Sequence, residues 1–170
     1  MKFKLLEVER HRTLFEYNGY KYELVDDTEQ EGYMKLYEYS KTRGMEKTLV
    51  VINIEKPNYI ENFQIVTQQD LEGALSFTRL DAVLNLRRYD RDKIQELSRT
   101  ECYVKFRYQE FIYYIYMGCP SYGTELGVIE WNGVCWGLNI IGNKDEWFWK
   151  QSVPDMLSYF GIVPKEKNIV

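Results

Sequence analysis

The chain has 170 residues and a net charge of −4, with a sequence pI near 5.2. This length suits a single domain, residues 1–170, with a substantial core. The mild negative charge argues against a general electrostatic grip on nucleic acid, which needs a concentrated basic face. Aromatic residues are frequent at 16%, with 15 tyrosines, a composition typical of sheet faces and of binding interfaces.

The cysteine pattern and the hydropathy of the chain indicate its compartment. Cys102, Cys119 and Cys135 form an odd set without CxxC spacing, which does not suit a secreted disulfide framework. The first residues lack the uninterrupted apolar run of a signal peptide, and no run reaches the ~18 apolar residues of a membrane span. We therefore expect a cytoplasmic protein that does not enter a membrane.

The first third of the chain predicts β-hairpins. Asn18-Gly19 lies between two alternating runs within residues 14–24, and both turn residues tolerate positive φ. An acidic loop follows over Asp26–Gly32, and residues 33–39 alternate again. The segment Thr48–Ile54 has the apolar character of a buried strand.

The middle of the chain predicts helices. Thr67 and Asp70 have the spacing of a capping box, and apolar residues follow at helical spacing, although Gly73 weakens the case for one unbroken helix. A second short helix is expected over Asp92–Ser98, while a strand over Ala82–Tyr89 remains an alternative. Residues 67–99 could form a helical insertion or subdomain.

The last third returns to β-structure. Residues 102–108 and 111–117 form either one hairpin or one long bent strand, and residues 127–131 and 134–141 flank a second Asn-Gly turn, at which Trp131 and Trp136 could pair. A capped helix starts at Ser152 and ends at Gly161. Tight turns require antiparallel neighbours. The predicted fold is therefore α+β, mostly antiparallel sheet built from hairpins, with two to four short helices.

No motif in the chain predicts a reaction. A Ser–His or Cys–His mechanism would have to use the single histidine, His11, which lies near a strand end without a nucleophile elbow. One histidine and three scattered cysteines do not have zinc-site spacing, and no phosphate-binding glycine motif is present. We expect no catalytic residue, no metal and no cofactor.

Three groups of residues are candidates for binding a partner. Arg87, Arg88 and Arg91 would share one side of a helix, and an acidic loop could dock on a basic protein. Trp147 and Trp149 would share one side of an extended segment, where an exposed ring makes a strong anchor. The acidic candidates are Asp26, Asp27, Glu29 and Glu31.

These features favour a non-catalytic module that binds another protein, such as an inhibitor, immunity or adaptor protein. Two alternatives remain open at this point. One is an enzyme, either a carboxylate-based hydrolase or a nucleotide-handling protein, whose site is assembled from distant segments. The other is a nucleic-acid-binding module that uses the arginines of residues 79–99, although nucleic acid is the less expected partner.

Overall fold

The computed structural model describes residues 3–26, 33–40, 44–47, 54–55, 65–77, 79–118 and 122–166. Contacts divide the chain into two compact units, Met1–Asp81 and Ala82–Val170, and each contains an antiparallel sheet. Together with three short α-helices in the described residues, the two sheets confirm the predicted α+β fold built from hairpins. The segment 67–99 contributes to both units, with a helix in the first and a strand in the second.

The sheet of the first unit is a meander in which neighbouring strands run antiparallel. Its order is β1-β2-β3-β4-β5, with β6 paired to β4. The strands are β1 (Phe3–Glu9), β2 (Arg12–Tyr17), β3 (Tyr20–Asp26), β4 (Tyr33–Ser40), β5 (Gly44–Lys47) and β6 (Ile54–Glu55). The predicted loop Asp26–Gly32 and strand Thr48–Ile54 lie largely outside the described residues.

The Asn18-Gly19 hairpin forms as predicted. Both residues have positive φ, +50° and +83°, which lets the two-residue turn close between β2 and β3. The register places Phe15 opposite Tyr22, and these rings stack with centroids 5.7 Å apart. Aromatic burial on this face therefore forms the core of the first unit.

A charged pair lies on the opposite face of the same hairpin. The side chain of Glu23 is fully buried, and Arg12 donates a hydrogen bond from Nε to its Oε1. That hydrogen bond is the main reason why the pKa of Arg12 is raised. The other carboxylate oxygen, Oε2, has no hydrogen-bond partner, so the guanidinium is the group that offsets the burial of this charge.

Helix α1 (Gln68–Phe77) begins with the predicted capping box. Asp70 donates its backbone N–H to Thr67 Oγ1, and its carboxylate accepts from the backbone N–H of Thr67. Gln68 attaches the helix to β1, because its amide accepts from the N–H of Leu5 and donates to the carbonyl of Phe3. α1 continues through Gly73 to Phe77.

The sheet of the second unit has the order β11-β10-β9-β8-β7 and is also antiparallel throughout. Helix α2 (Leu80–Leu86) leads into this unit, and the chain closes with α3 (Val153–Ser158), which has the predicted Ser152 cap. The strands are β7 (Gln95–Arg99), β8 (Tyr103–Tyr108), β9 (Phe111–Met117), β10 (Thr124–Ile129) and β11 (Cys135–Ile141). Two 3-10 helices span Arg91–Lys93 and Phe148–Lys150.

The structure resolves the two alternatives that the sequence left open and corrects one helix. Residues 103–117 form a hairpin, with Gln109 at positive φ in the turn, and most of 82–89 belongs to α2 rather than to a strand. The predicted helix Asp92–Ser98 is wrong. Asp90 caps only a single 3-10 turn by accepting from the N–H of Asp92, and the chain then pairs with β8 as strand β7.

Tyr113 joins helix α2 to the sheet of the second unit. Its buried hydroxyl donates to the carbonyl of Ala82 at 2.7 Å and accepts from Asn85 Nδ2 at 3.0 Å. Its ring stacks on Phe106 with centroids 5.3 Å apart. By contrast, the hydroxyl of Tyr89 is buried without a hydrogen-bond partner, and burial raises the pKa of Tyr89 to about 12.

These two tyrosines predict opposite responses to removal of the hydroxyl. Tyr113→Phe should destabilise the protein by about 1–2 kcal/mol, because Asn85 Nδ2 and the carbonyl of Ala82 lose a partner. Tyr89→Phe should be neutral or stabilising, because no hydrogen bond is lost. Urea unfolding of both variants at pH 7 measures the difference, and equal losses in the two variants would contradict this account.

The raised pKa of Tyr89 also predicts how stability changes at alkaline pH. A raised folded-state pKa means that the contribution of Tyr89 is complete below the ordinary value of 10.0 and is lost as pH rises toward about 12. Tyr89→Phe should therefore retain more of its neutral-pH stability than the native chain does between these two pH values. Unfolding curves across this range would detect the difference.

Candidate functional site

The edge strands of the two sheets differ in how they are protected. β1, an edge of the first sheet, carries Lys4, Glu7 and Glu9, and a bulge lies between Leu5 and Glu7. β7, an edge of the second sheet, carries Glu96 and Arg99 and also contains a bulge. Charges and bulges are the usual protection of an edge against pairing with another chain.

β11 forms the other edge of the second sheet and lacks charged protection. Residues 131–143, which include the whole of β11 and the turn that precedes it after Glu130, contain no charged side chain. Among the residues that the structure describes, β11 pairs only with β10. The outer side of β11 therefore carries no strand, although the N–H of Ile140 donates to Asn139 Oδ1 and Asn139 Nδ2 donates to the carbonyl of Phe160.

Exposed apolar side chains accompany this edge. Trp131 in the turn is 95% exposed, and Val134, Trp136 and Ile140 are also exposed. The register places Trp136 opposite Val128 and Ile140 opposite Glu125, on opposite faces of the sheet. Apolar groups therefore border the edge on both faces, and their exposure is a feature typical of interaction sites.

The turn before β11 differs in detail from the expected hairpin. Gly133 has a φ of +86°, but the loop runs from Glu130 to Val134 and is closed by a hydrogen bond from the N–H of Glu130 to the carbonyl of Val134. Trp131 lies within this longer loop, so the expected pairing of Trp131 with Trp136 is not formed. The longer loop is what leaves Trp131 in solvent.

A second feature of this unit is a half-open cavity of about 750 Å³. Its wall is formed by the β7–β8 turn, the end of β9 and the segment before α3. The lining residues are Arg99, Thr100, Glu101, Met117, Lys144, Glu146, Trp149 and Lys150. The wall therefore combines charged groups of both signs with a methionine and an indole.

Arg99 holds this wall together. Its Nη1 donates to the carbonyl of Trp149 at 2.8 Å, and its Nη2 donates to Glu96 Oε1 at 2.5 Å. The hydrogen bond from Arg99 is the main reason why the pKa of Glu96 is lowered. A single guanidinium thus connects β7 with the 3-10 helix Phe148–Lys150.

The two tryptophans predicted to contact a partner have different environments. Trp149 is only 4% exposed, so its ring is part of the interior, in contrast to the exposed anchor that the sequence suggested. Trp147 is 49% exposed and packs edge-on against Tyr159. The segment turns as a 3-10 helix instead of running extended, which separates the two rings.

The predicted arginine face does not form. α2 ends at Leu86, Arg88 has a φ of +54° in the turn that follows, and Arg91 begins the 3-10 helix. Arg87 and Arg88 are half-buried, whereas Arg91 is exposed. The three residues therefore do not share one side of a helix, and the sequence missed the turn because their spacing alone suits a helix.

Of the acidic candidates, the structure describes only Asp26. Asp26 lies at the end of β3, and its carboxylate accepts a hydrogen bond at 2.9 Å from His11, which lies in the turn between β1 and β2. Asp27, Glu29 and Glu31 lie outside the described residues. His11 is exposed in that turn.

The described part of the chain contains no group of three or more histidine, cysteine or acidic residues able to hold a metal ion. Within the same residues, no helix has both the length and the apolar character that crossing a membrane requires. Comparison of the chain with protein families, with curated proteins and with solved structures returns no match.

Loss of the Arg99 guanidinium should loosen the cavity wall. We expect Arg99→Met to destabilise the protein by about 1–3 kcal/mol, because the carbonyl of Trp149 loses its charged donor. Arg107→Met, on the exposed part of β8, is the matched control and should change stability by less than about 0.5 kcal/mol. Chemical denaturation at pH 7 compares the two variants.

The ion pair between Arg99 and Glu96 also predicts how stability changes at acidic pH. The lowered pKa of Glu96 contributes stability above its ordinary value of 4.5, and this contribution is lost as pH falls through the folded-state pKa. Arg99→Met should remove that part of the acid dependence, whereas Arg107→Met should retain it. Identical acid profiles for Arg99→Met and the native chain would contradict the assignment.

Proposed function

We propose that this chain is a non-catalytic protein-binding module and that its partner adds an extended segment along β11. Inhibitor, immunity and adaptor proteins act in this way, by occupying or bridging a partner surface. The observation that carries the proposal is the uncharged stretch 131–143 at a sheet edge that no strand of the described residues covers, in contrast to the edge strands β1 and β7, which carry charges.

Strand addition combines two sources of binding free energy. Backbone hydrogen bonds along the edge supply affinity and fix the register, while side chains on alternate faces supply specificity. Trp136 and Ile140 border β11 on opposite faces, so both faces of an added strand would meet apolar surface. Trp131 at the tip has the size and exposure of an energetic anchor.

The composition of the edge defines the partner segment. β11 itself carries no charge to compensate for a charge that binding would bury, and the carboxylate of Glu125, which lies over Gly137, would repel an acidic segment. We therefore expect an uncharged extended segment rich in β-branched or aromatic residues, from a different protein. The exposed Trp147 and the acidic segment around Asp26 stay predictions for further contact surfaces.

The partner can be identified by photo-crosslinking from position 132, an exposed residue of the turn, in the cells that produce the chain. The crosslinked protein is then purified and its affinity for the native chain and for variants is measured by calorimetry. Trp131→Ala should weaken binding by about 2 kcal/mol, or roughly 30-fold. Leu97→Ala, at an exposed apolar residue of β7 on the opposite edge of the same sheet, is the control and should leave affinity unchanged.

A second variant tests the strand edge itself. Ile140→Lys places a charge beside β11 and should weaken binding at least about tenfold, as edge charges do in natural sheets. Val163→Lys makes the same change at an exposed valine of the same unit and should bind normally. Native affinity in both Trp131→Ala and Ile140→Lys would refute the proposal, and crosslinks formed only between copies of this chain would replace it with self-association.

A further inference from the structure

We propose that the segment that adds to β11 carries one arginine or lysine, placed beside Gly137, whose charge the carboxylate of Glu125 binds. This inference rests on the proposed function, and it names the one charged residue expected in an otherwise uncharged partner segment. The juxtaposition that carries it is a carboxylate held over an exposed glycine of an uncharged edge strand.

The side chain of Glu125 crosses from β10 onto the edge strand. Gly127 of β10 is in register with Gly137 of β11, and Glu125 points to the same face of the sheet because it lies two residues from Gly127. A Cβ at Gly137 would collide with Glu125 Oε1, so this oxygen occupies the place that a side chain of β11 would otherwise fill. Gly137 is exposed and Glu125 is half-buried, which leaves the carboxylate accessible at the open edge.

Tyr114 holds the carboxylate in this position. A Cβ at Gly127 would collide with the ring of Tyr114, so the ring lies over this glycine, and its hydroxyl donates a hydrogen bond to Glu125. Burial and, after it, the negative charge of Glu125 raise the pKa of Tyr114, so the phenol is a neutral donor at pH 7. A neutral donor orients the carboxylate but leaves its charge uncompensated.

Glu125 has no cationic partner within the described part of the chain. Its register neighbours on β9 and β11 are Tyr116 and Ile140, and the salt bridges among the described residues do not include it. The adjoining edge, residues 131–143, supplies no charge either. Within this part of the chain, solvent is therefore the main compensation for the charge of Glu125.

Strand addition would displace that solvent. Residues in register on neighbouring strands point to the same face, with Cβ atoms about 4.5–5.5 Å apart, so the partner residue beside Gly137 would cover Glu125. Covering a carboxylate without a cation costs free energy, whereas a hydrogen-bonded cation offsets the lost hydration. An arginine or lysine at this position supplies that cation, and Glu125 thereby discriminates against segments that have an apolar or acidic residue there.

Selection from a phage library of random twelve-residue peptides tests the inference without a known partner. The clones of interest bind the native chain and Leu97→Ala but not Trp131→Ala, which is the behaviour expected of ligands of the β11 edge. We expect these clones to share one arginine or lysine at a fixed place in their alignment. The commonest clone is then synthesised in two forms, with arginine at this place and with citrulline, its neutral counterpart of the same shape.

Calorimetry with the two peptides locates the interaction. The arginine peptide should bind the native chain at least about tenfold more tightly than the citrulline peptide, and Glu125→Gln should abolish that difference while the citrulline peptide still binds. Glu166→Gln, at an exposed glutamate outside the sheet, is the matched control and should keep the full difference. Glu125→Asp, which keeps the charge but withdraws it from Gly137, should reduce the difference and serves as the test if Glu125→Gln does not fold.

The possible results separate this inference from the proposed function. Edge-dependent clones without a shared basic residue, equal affinity of the two peptides, or a difference that survives both changes at Glu125 would overturn the inference and leave strand addition at β11 intact. A selection that yields no clone sensitive to Trp131→Ala would overturn both.

Discussion

A sheet ends at strands whose outer backbone groups find no partner inside the sheet, and the function proposed for this chain depends on that constraint. Unpaired N–H and C=O groups invite pairing with another chain, and natural sheets oppose it with charges, bulges or covering elements. β1 and β7 follow this rule, with charged residues and a bulge in each. β11 is paired to β10 through a bulge at Leu138, but it retains an uncharged edge. The difference between these edges is informative because all three belong to the same molecule.

The interior of the second unit fixes where this edge and the cavity lie. Tyr113 attaches α2 to the sheet through two hydrogen bonds, and Arg99 attaches the 3-10 helix Phe148–Lys150 to β7. Each interaction joins segments far apart in the sequence, so each can form only once the sheet is assembled. Trp149 lines the cavity, and its carbonyl is held by the guanidinium of Arg99, which lines the same cavity.

Local chemistry made much of the fold predictable. Asn18-Gly19, the Thr67–Asp70 capping box and the Ser152 cap are short-range signals, and each appears in the structure where the sequence placed it. The predicted helix over 92–98 failed because pairing with β8 outweighed local preference. Trp149 was misjudged because burial depends on tertiary packing, and a tryptophan-rich segment has the same composition whether its rings are inside or outside. The cavity was beyond sequence reasoning, because its wall combines residues from three separate segments.

The uncharged edge, however, was visible in the sequence. Residues 131–143 lack any charge in a chain of which 28% of residues are charged, and the Asn-Gly turn already placed this stretch in a hairpin. The sequence did not reveal the strand order. A strand without charges is usual in the middle of a sheet, whereas at an edge it leaves the backbone open to pairing with another chain. The lack of charge in this stretch therefore points to a function only once the strand order is known. The exposed ring of Trp131 supports the same interpretation, since burying it against a partner would release the largest apolar surface that this edge presents to water.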